Sequence, residues 1–301
     1  MKKYVFGVDI GGTKTAVTLA DTDAHFYDKT RFPTEGSWKQ VLDKVFAVME
    51  NQAERNRITD IAAVGVSCGG PLDSRRGLIL SPPNLPGWDE VPVTELFEKR
   101  FGVPCFLQND ADACAVAEWK YGAGRGCENL LFLTFGTGLG AGLILNGRLY
   151  SGASGLAGEA GHIRLAEKGP VGYGKAGSFE GFCSGGGIAR LAEERMGEPL
   201  TAKEVAERAA QGDAGALEVL EISGRYLGLG CSILMDLFNP ERIIIGGIYM
   251  RCESLLKPHA EAVIRREALP GAAAACRIVP AGLGEKIGDY SAIAIAAQAL
   301  S

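Results

Sequence analysis

Residues Tyr4–Ala20 read YVFGVDIGGTKTAVTLA, and this stretch decides the fold. An apolar, β-rich run ends at Asp9, a turn follows at Gly11-Gly12-Thr13-Lys14, and a second apolar run begins at Thr15. The pattern predicts two strands joined by a tight turn. It returns loosely at Asn129–Leu145, NLLFLTFGTGLGAGLIL, with Thr134-Phe135-Gly136-Thr137-Gly138 as the turn. One such hairpin is common. Two, at the start of each half of the chain, predict a duplicated architecture whose turns offer two sets of backbone N–H groups to the phosphates of one nucleotide.

Working outward, strands and helices alternate rather than falling into blocks. Strands are expected at Tyr4–Asp9, at Thr15–Leu19 and in a run ending near Phe32. A helix follows with Val41, Val45, Val48 and Met49 on its apolar face. Ile61–Ser67 reads as a buried strand leading into Gly69-Gly70-Pro71, Glu95–Phe101 as a helix and Pro104–Leu107 as a short strand. Ala111–Tyr121 is a helix that Asn109 or Asp110 would cap. After the second hairpin comes a Gly-rich stretch from Gly152 to Gly187. Helices resume near Ile188–Arg195, Ala202–Gln211 and Ala214–Phe238, then a strand at Arg242–Ile245 ends at Gly246-Gly247, and a last helix covers Tyr290–Leu300. This is a mixed α/β architecture of two hinged lobes. Residues 1–120 form the first, 121–289 a larger second, and the helix at 290–301 is placed to pack back on the first.

Composition bounds the partners. The chain has 301 residues, enough for two cores, and a formal net charge of −5, which gives no general support for nucleic-acid binding. Any phosphate site must be local. The eight cysteines are scattered without a CxxC pair, and no apolar stretch reaches spanning length, so they read as reduced thiols of a cytoplasmic protein.

The chemistry concentrates in a few places. In Asp9-Ile10-Gly11-Gly12-Thr13-Lys14 the glycines let backbone curl against an anion, Thr13 adds a hydroxyl, Lys14 adds charge, and Asp9 is placed to orient hydrated Mg²⁺. It is not a Walker A loop, which needs GxxxxGK[ST] before a helix. A plain hairpin with a solvated lysine remains the simpler reading of this motif alone. The uncharged turn at Thr134–Gly138 would act through N–H groups and hydroxyls. Its Gly136, Gly138 and Ala141 nearly match a dinucleotide fingerprint, but Asn146-Gly147 follows where that fold needs a helix.

Asn109-Asp110 sits between a short strand and a helix. A carboxylate there can accept the proton of a sugar hydroxyl attacking a γ-phosphate, with Asn109 holding a neighbouring hydroxyl. Helix capping accounts for the same dipeptide. Asp112 is a rival carboxylate, expected to face elsewhere. Gly158-Glu159-Ala160-Gly161-His162 and Glu180 supply groups that suit adjacent sugar hydroxyls, although a lone histidine is more often structural. His162 with Cys183 is too small a set for a closed zinc site.

Taken together, the motifs resemble those of a sugar kinase of the ROK group (repressors, open reading frames and kinases), within the actin-like ATPase superfamily with its ribonuclease-H-like cores. The resemblance spans nearly the whole chain. It rests on DIGGTKT at Asp9–Thr15, GVSCGGPLD at Gly65–Asp73, PPNLPGW at Pro82–Trp88, QNDADACAVAE at Gln108–Glu118, LTFGTGLGAGLILNG at Leu133–Gly147 and GEAGH at Gly158–His162. It implies a two-lobed fold with the site in a cleft and Asp110 as catalytic base. It also implies Gly70, Asn84, Asn109, Glu159, His162 and Glu180 as sugar contacts. The turns Gly11–Lys14 and Thr134–Gly138 would clamp the phosphates of ATP, with Gly246-Gly247 near the adenosine and a homodimer through the second lobe.

One stretch departs from the pattern. Members of the group usually carry a zinc-binding CxCGxxGCxE segment after GH, whereas here Val171, Tyr173 and Ser178 occupy the three cysteine positions. The expectation is a zinc-free member in which Val171, Tyr173 and Phe179 form an apolar replacement that keeps Glu180 in place. Repressors of the group resemble this chain with an added DNA-reading extension, for which strand one at Tyr4 leaves no room. The expected activity is therefore phosphorylation of a hexose by ATP·Mg²⁺, at O6 of glucose, with N-acetylmannosamine, allose and fructose as the alternatives.

Overall fold

The computed structural model describes residues 3–300, which divide into two compact units. The first comprises the chain up to Gly122, residues 151–156 and the chain from Glu285 onward; the second comprises Ala123–Tyr150 and Ala157–Gly284.

In the first unit β1 (Tyr4–Ile10), β2 (Lys14–Asp21) and β3 (Phe26–Pro33) form an antiparallel meander, and β4 (Ile61–Cys68) adds to β1 in parallel. Three short strands, β5 (Leu72–Asp73), β6 (Leu78–Ile79) and β7 (Val91–Pro92), make a small separate sheet. β8 (Cys105–Asn109) completes the main sheet in the order β3-β2-β1-β4-β8. Helix α1 (Trp38–Asn56) begins at a capping box, Ser37 with Gln40, and buries Val41, Leu42, Val45 and Met49 against this sheet, with Val48 only half-buried. α2 (Val93–Phe101) buries Val93 and Phe97 on the same face, and α3 (Asp110–Tyr121) follows β8 directly.

The other face carries the C-terminal helix, Ile287–Ala299, which packs on β1, β4 and α3. Gly7 and Gly65 are register partners on β1 and β4. A Cβ on Gly65 would overlap the Ala292 carbonyl oxygen, and one on Gly7 would lie 2.9 Å from Ile293 Cδ1. The two glycines thus form a smooth floor that lets this Ala- and Ile-rich helix lie directly on the strands. The segment 151–156 is tied to this unit by Arg75, whose guanidinium donates to Ala153 O at 3.0 Å and Gly152 O at 2.9 Å.

The second unit repeats the plan. β9 (Leu130–Phe135), β10 (Leu139–Leu145) and β11 (Arg148–Leu149) are antiparallel, with Asn146 and Gly147 both at positive φ in the β10–β11 turn. A two-stranded hairpin, β12 (Val171–Gly172) and β13 (Lys175–Ala176), precedes the helices α4 (Phe179–Phe182), α5 (Gly185–Met196), α6 (Ala202–Ala210) and α7 (Ala214–Phe238). β14 (Arg242–Gly247) pairs in parallel with β9 and with β15 (Arg277–Pro280), giving the order β11-β10-β9-β14-β15. Both main sheets therefore run antiparallel, antiparallel, parallel, parallel in the same sequence.

Besides the short strands β5–β7 and β11–β13 and helix α4, three elements go beyond the sequence expectation. α8 (Tyr249–Glu267) buries Tyr249, Cys252, Leu256, Ala260 and Val263, a helical spacing masked by Pro258 and by small or weakly apolar residues. α9 (Pro270–Ala275) and β15 follow it. Among the described residues all eight cysteines are free thiols, and no helix is long and apolar enough to cross a membrane.

Candidate active site

In the first unit the candidate residues cluster at the carboxyl ends of three adjacent parallel strands. The register pairs Asp9 with Ser67, Ile10 with Cys68, and Cys68 with Asn109, so Asp9, Gly69-Gly70 and Asn109-Asp110 leave the sheet along one edge. Open α/β sheets bind ligands at this edge. The turn after β1 is closed by Gly11 N–H donating to Lys14 O at 3.0 Å, which leaves Thr13 and Lys14 exposed. A Cβ on Gly12 would come within 2.5 Å of Asn84 O, so only glycine lets the loop carrying Asn84 approach the turn. That loop is anchored by buried Leu85 and Trp88, while Asn84 stays exposed with its amide facing Gly69.

The capping question at the start of α3 resolves cleanly. Asn109 is the N-cap, its Oδ1 accepting from Asp112 N–H at 2.7 Å. Asp110 is the first helical residue; one of its oxygens accepts from Ala111 N–H at 2.8 Å, and its side chain remains open to solvent. Asp112 is fully buried, so Asp110 is the accessible carboxylate of the pair.

The electrostatics single out Asp9. Crowding by protein pushes its carboxyl up to about 7, with the charges of Asp110 and Asp289 adding and those of Arg31 and Lys29 opposing. Asp110 is raised by the same loss of hydration, since although it reaches solvent it is surrounded by protein on most sides. Asp289 is the residue that sequence reasoning missed. It sits in the first turn of the C-terminal helix, bridged to Lys29 at 2.5 Å and to Arg31 at 3.8 Å, and the neighbouring Gly288 lies against Asp9. Nothing local in the sequence couples a residue so late in the chain to the β1 turn.

In the second unit the candidates form another neighbourhood. The register places Gly246 beside Thr134 and Gly247 beside Phe135, and Ile248 N–H donates to Phe135 O at 2.7 Å. Gly185 N–H, at the start of α5, donates to Gly136 O at 2.7 Å, so this helix terminus abuts the turn. The Thr134 hydroxyl is engaged within the hairpin, accepting from Gly140 N–H at 2.8 Å and donating to Gly140 O at 3.2 Å, whereas Thr137 is exposed at the tip.

Glu180 touches this turn as well. Its Oε2 accepts from Leu139 N–H at 3.0 Å, in space that a Cβ on Gly138 would invade to 2.6 Å. Gly161 lies against Leu139 O and the Glu180 Cβ, so Glu159 and His162, both exposed and flanking Gly161, share one patch with Glu180.

The expected apolar replacement is corrected. Phe179 is buried against Gly230, but Val171 is 43 % exposed and Tyr173 79 % exposed. They lie on the β12–β13 hairpin, where Tyr173 and Gly174 take positive φ and the ring is thrown outward. Hydrogen bonds hold this segment instead: Ser178 Oγ donates to Gly172 O at 3.3 Å and accepts from Gly181 N–H at 3.0 Å, and Arg190 donates to Val171 O. Cys183 is buried and donates to Ser223 O at 3.4 Å. Among the described residues the one cluster of three potential metal ligands is Asp21, Asp23 and His25, in the first unit.

The profile of the ROK family matches residues 5–299. The glucokinase of Halalkalibacterium halodurans is 32 % identical over 310 aligned positions, covering 95 % of this chain and 92 % of that protein. The solved structure of a ROK family glucokinase from Streptomyces griseus, in complex with glucose and AMPPNP, superposes with a TM-score of 0.78 at 30 % identity, covering 99 % of this chain and all (100 %) of that one. The Escherichia coli regulator NagC is 29 % identical over 88 % of this chain and 68 % of its own length. The two five-stranded mixed sheets are those of the actin-like ATPase fold, and with the family profile running almost from end to end, the chain belongs to the ROK family, on its glucokinase-like side.

Proposed function

We propose that this chain is an ATP-dependent hexose kinase that transfers the γ-phosphate to a sugar hydroxyl, O6 of glucose in the first instance. The observation that carries the reading is the arrangement at the start of α3. Asn109 serves as the cap, which frees Asp110 as an open but poorly hydrated carboxylate beside Asp9. A base in such surroundings is stronger than a solvated carboxylate and better matched to neutral pH. The likeness to glucokinases supports the choice of substrate.

In this reading Asp110 takes the proton of the attacking hydroxyl, while Asn109 Nδ2, Asn84 and Gly70 orient the sugar. Glu159, His162 and Glu180 receive its remaining hydroxyls. Lys14 and the N–H groups of the two turns hold the phosphates as charge develops on the transferring group. Gly247, exposed at the end of β14 beside the turn, meets the adenosine, with buried Gly246 beneath it. Asp9, at the end of β1 beside the turn, provides an oxygen donor that suits hydrated Mg²⁺, which when bound would neutralise phosphate charge. The donor set around His162 does not suit zinc, and the protein functions without it. One stoichiometric zinc per chain in elemental analysis overturns that part. The protein is a homodimer through the second unit, which sedimentation equilibrium tests.

The deciding experiment is an ADP-release assay over a panel of hexoses and N-acetylhexosamines, including N-acetylmannosamine, allose and fructose. Turnover of glucose above the others is the expected result, and turnover of none overturns the kinase reading. The likeness to NagC favours one second reading, a sugar-responsive regulator, which predicts sugar binding by calorimetry without ADP release.

A further inference from the structure

Tyr173 is the most exposed large hydrophobic side chain among the described residues, at 79 %, yet its ring is not idle. Its centroid lies 5.9 Å from that of His162 at an interplanar angle of 76°, an edge-to-face contact. Two residues on, Lys175 Nζ donates to His162 O at 2.7 Å. The β12–β13 hairpin therefore holds His162 twice, by its ring and by its carbonyl, from one short turn.

The hairpin is fitted for that task. Tyr173 and Gly174 take φ of 46° and 75°, the paired left-handed conformations of a tight two-residue turn. Its base is pinned by Ser178 Oγ on Gly172 O, by Arg190 on Val171 O, and by Arg164 on Ala176 O at 2.8 Å. A tyrosine at positive φ is strained and exposes apolar surface, so its place at the tip calls for a compensating contact. Among the described residues the one ring that Tyr173 meets is the His162 imidazole. His162 is itself exposed and, among the described residues, no side-chain hydrogen bond fixes its ring, in contrast to Glu180, whose carboxylate is held by Leu139 N–H.

We infer that Tyr173 is a positioning residue of the sugar site: its ring sets the orientation of the His162 imidazole, and Lys175 fixes the backbone beneath it. This rests on the hexose-kinase reading above for the role of His162, but the contact itself does not.

Tyr173→Ala and Tyr173→Phe test it with two readouts. In the sugar-kinase assay Tyr173→Ala raises the sugar KM about three- to tenfold, in line with the worth of an aromatic pair, while kcat and the KM for ATP stay within about twofold. Tyr173→Phe restores the sugar KM, because the contact uses the ring and not the hydroxyl. The second readout needs no substrate. With three histidines in the chain, the His162 imidazole resonances are assigned by comparison with His162→Ala, and Tyr173→Ala shifts them while Tyr173→Phe does not. An unchanged sugar KM in an active Tyr173→Ala enzyme overturns the proposal. Should the wild type phosphorylate no sugar, the kinase reading fails by itself. The resonances then decide the Tyr173 contact, and an unmoved imidazole signal refutes it.

Discussion

Asn109 caps the helix on which Asp110 is the first residue, its Oδ1 taking the Asp112 amide at 2.7 Å. In the proposed mechanism adjacent side chains of similar size thus separate structural from chemical duty. Replacing Asp110 with Asn keeps the cap and removes only the base. Turnover is expected to fall by about 10²–10⁴-fold, with sugar affinity by calorimetry and the melting temperature nearly unchanged. Near-normal turnover removes Asp110 from the mechanism.

Asn109→Ala behaves differently. Loss of an N-cap costs about 1 kcal/mol, a fall in Tm of roughly 2–4 °C for a unit of this size. Sugar affinity falls as well, since Nδ2 is removed with the cap. Scanning calorimetry beside a sugar titration separates the two effects; a Tm equal to wild type contradicts the capping role.

The acidic cluster sets a pH dependence. Asp9 keeps its proton in the folded chain up to about pH 7 and releases it near its ordinary value of 3.8 in the unfolded chain. Between those values the folded state holds the extra proton, so this group's contribution to stability is full at low pH and declines as pH rises through 7. The slope is at most about 1.4 kcal/mol per pH unit. Asp9→Asn removes that decline. In buffer free of divalent cations, its Tm relative to wild type should be higher at pH 8 than at pH 5. The opposite trend would mean that Asp9 gains more from Lys29 and Arg31 than it loses to burial.

Gly65→Ala tests the helix floor. The added methyl overlaps the Ala292 carbonyl oxygen, and backbone cannot yield as a side-chain tip can. A loss of about 1–3 kcal/mol or more is expected, while the equally conservative Gly102→Ala, which meets nothing, acts only through its positive φ. Equal Tm values for Gly65→Ala and wild type would refute the close packing.

Much of this was legible in the sequence because it is local. Both hairpins, the helix at Ala214–Phe238 and the Asn146-Gly147 turn follow from alternation, periodicity and turn residues within short windows. What escaped depends on distant partners. Asp289 reaches Asp9 only through packing of the last helix on β1, and α8 hides its apolar face behind Ala, Cys and an internal proline. The outward turn of Tyr173 was misjudged because three replaced cysteines suggested a buried plug. The positive φ of Tyr173 and Gly174 makes the segment a hairpin whose stability lies in hydrogen bonds.

The chain leaves its first unit at Gly122 and returns to it for good at Glu285. The helix that covers Gly7 and Gly65 is thus synthesised after the whole of the second unit, although the strands it covers are synthesised before that unit. During synthesis the second unit has all of its residues while the first still shows a bare apolar sheet face around Val5, Ala20 and Ala63. The nascent protein is most vulnerable to aggregation in the interval before this helix arrives. Loss of that helix would be felt as failure of these much earlier strands to stay folded.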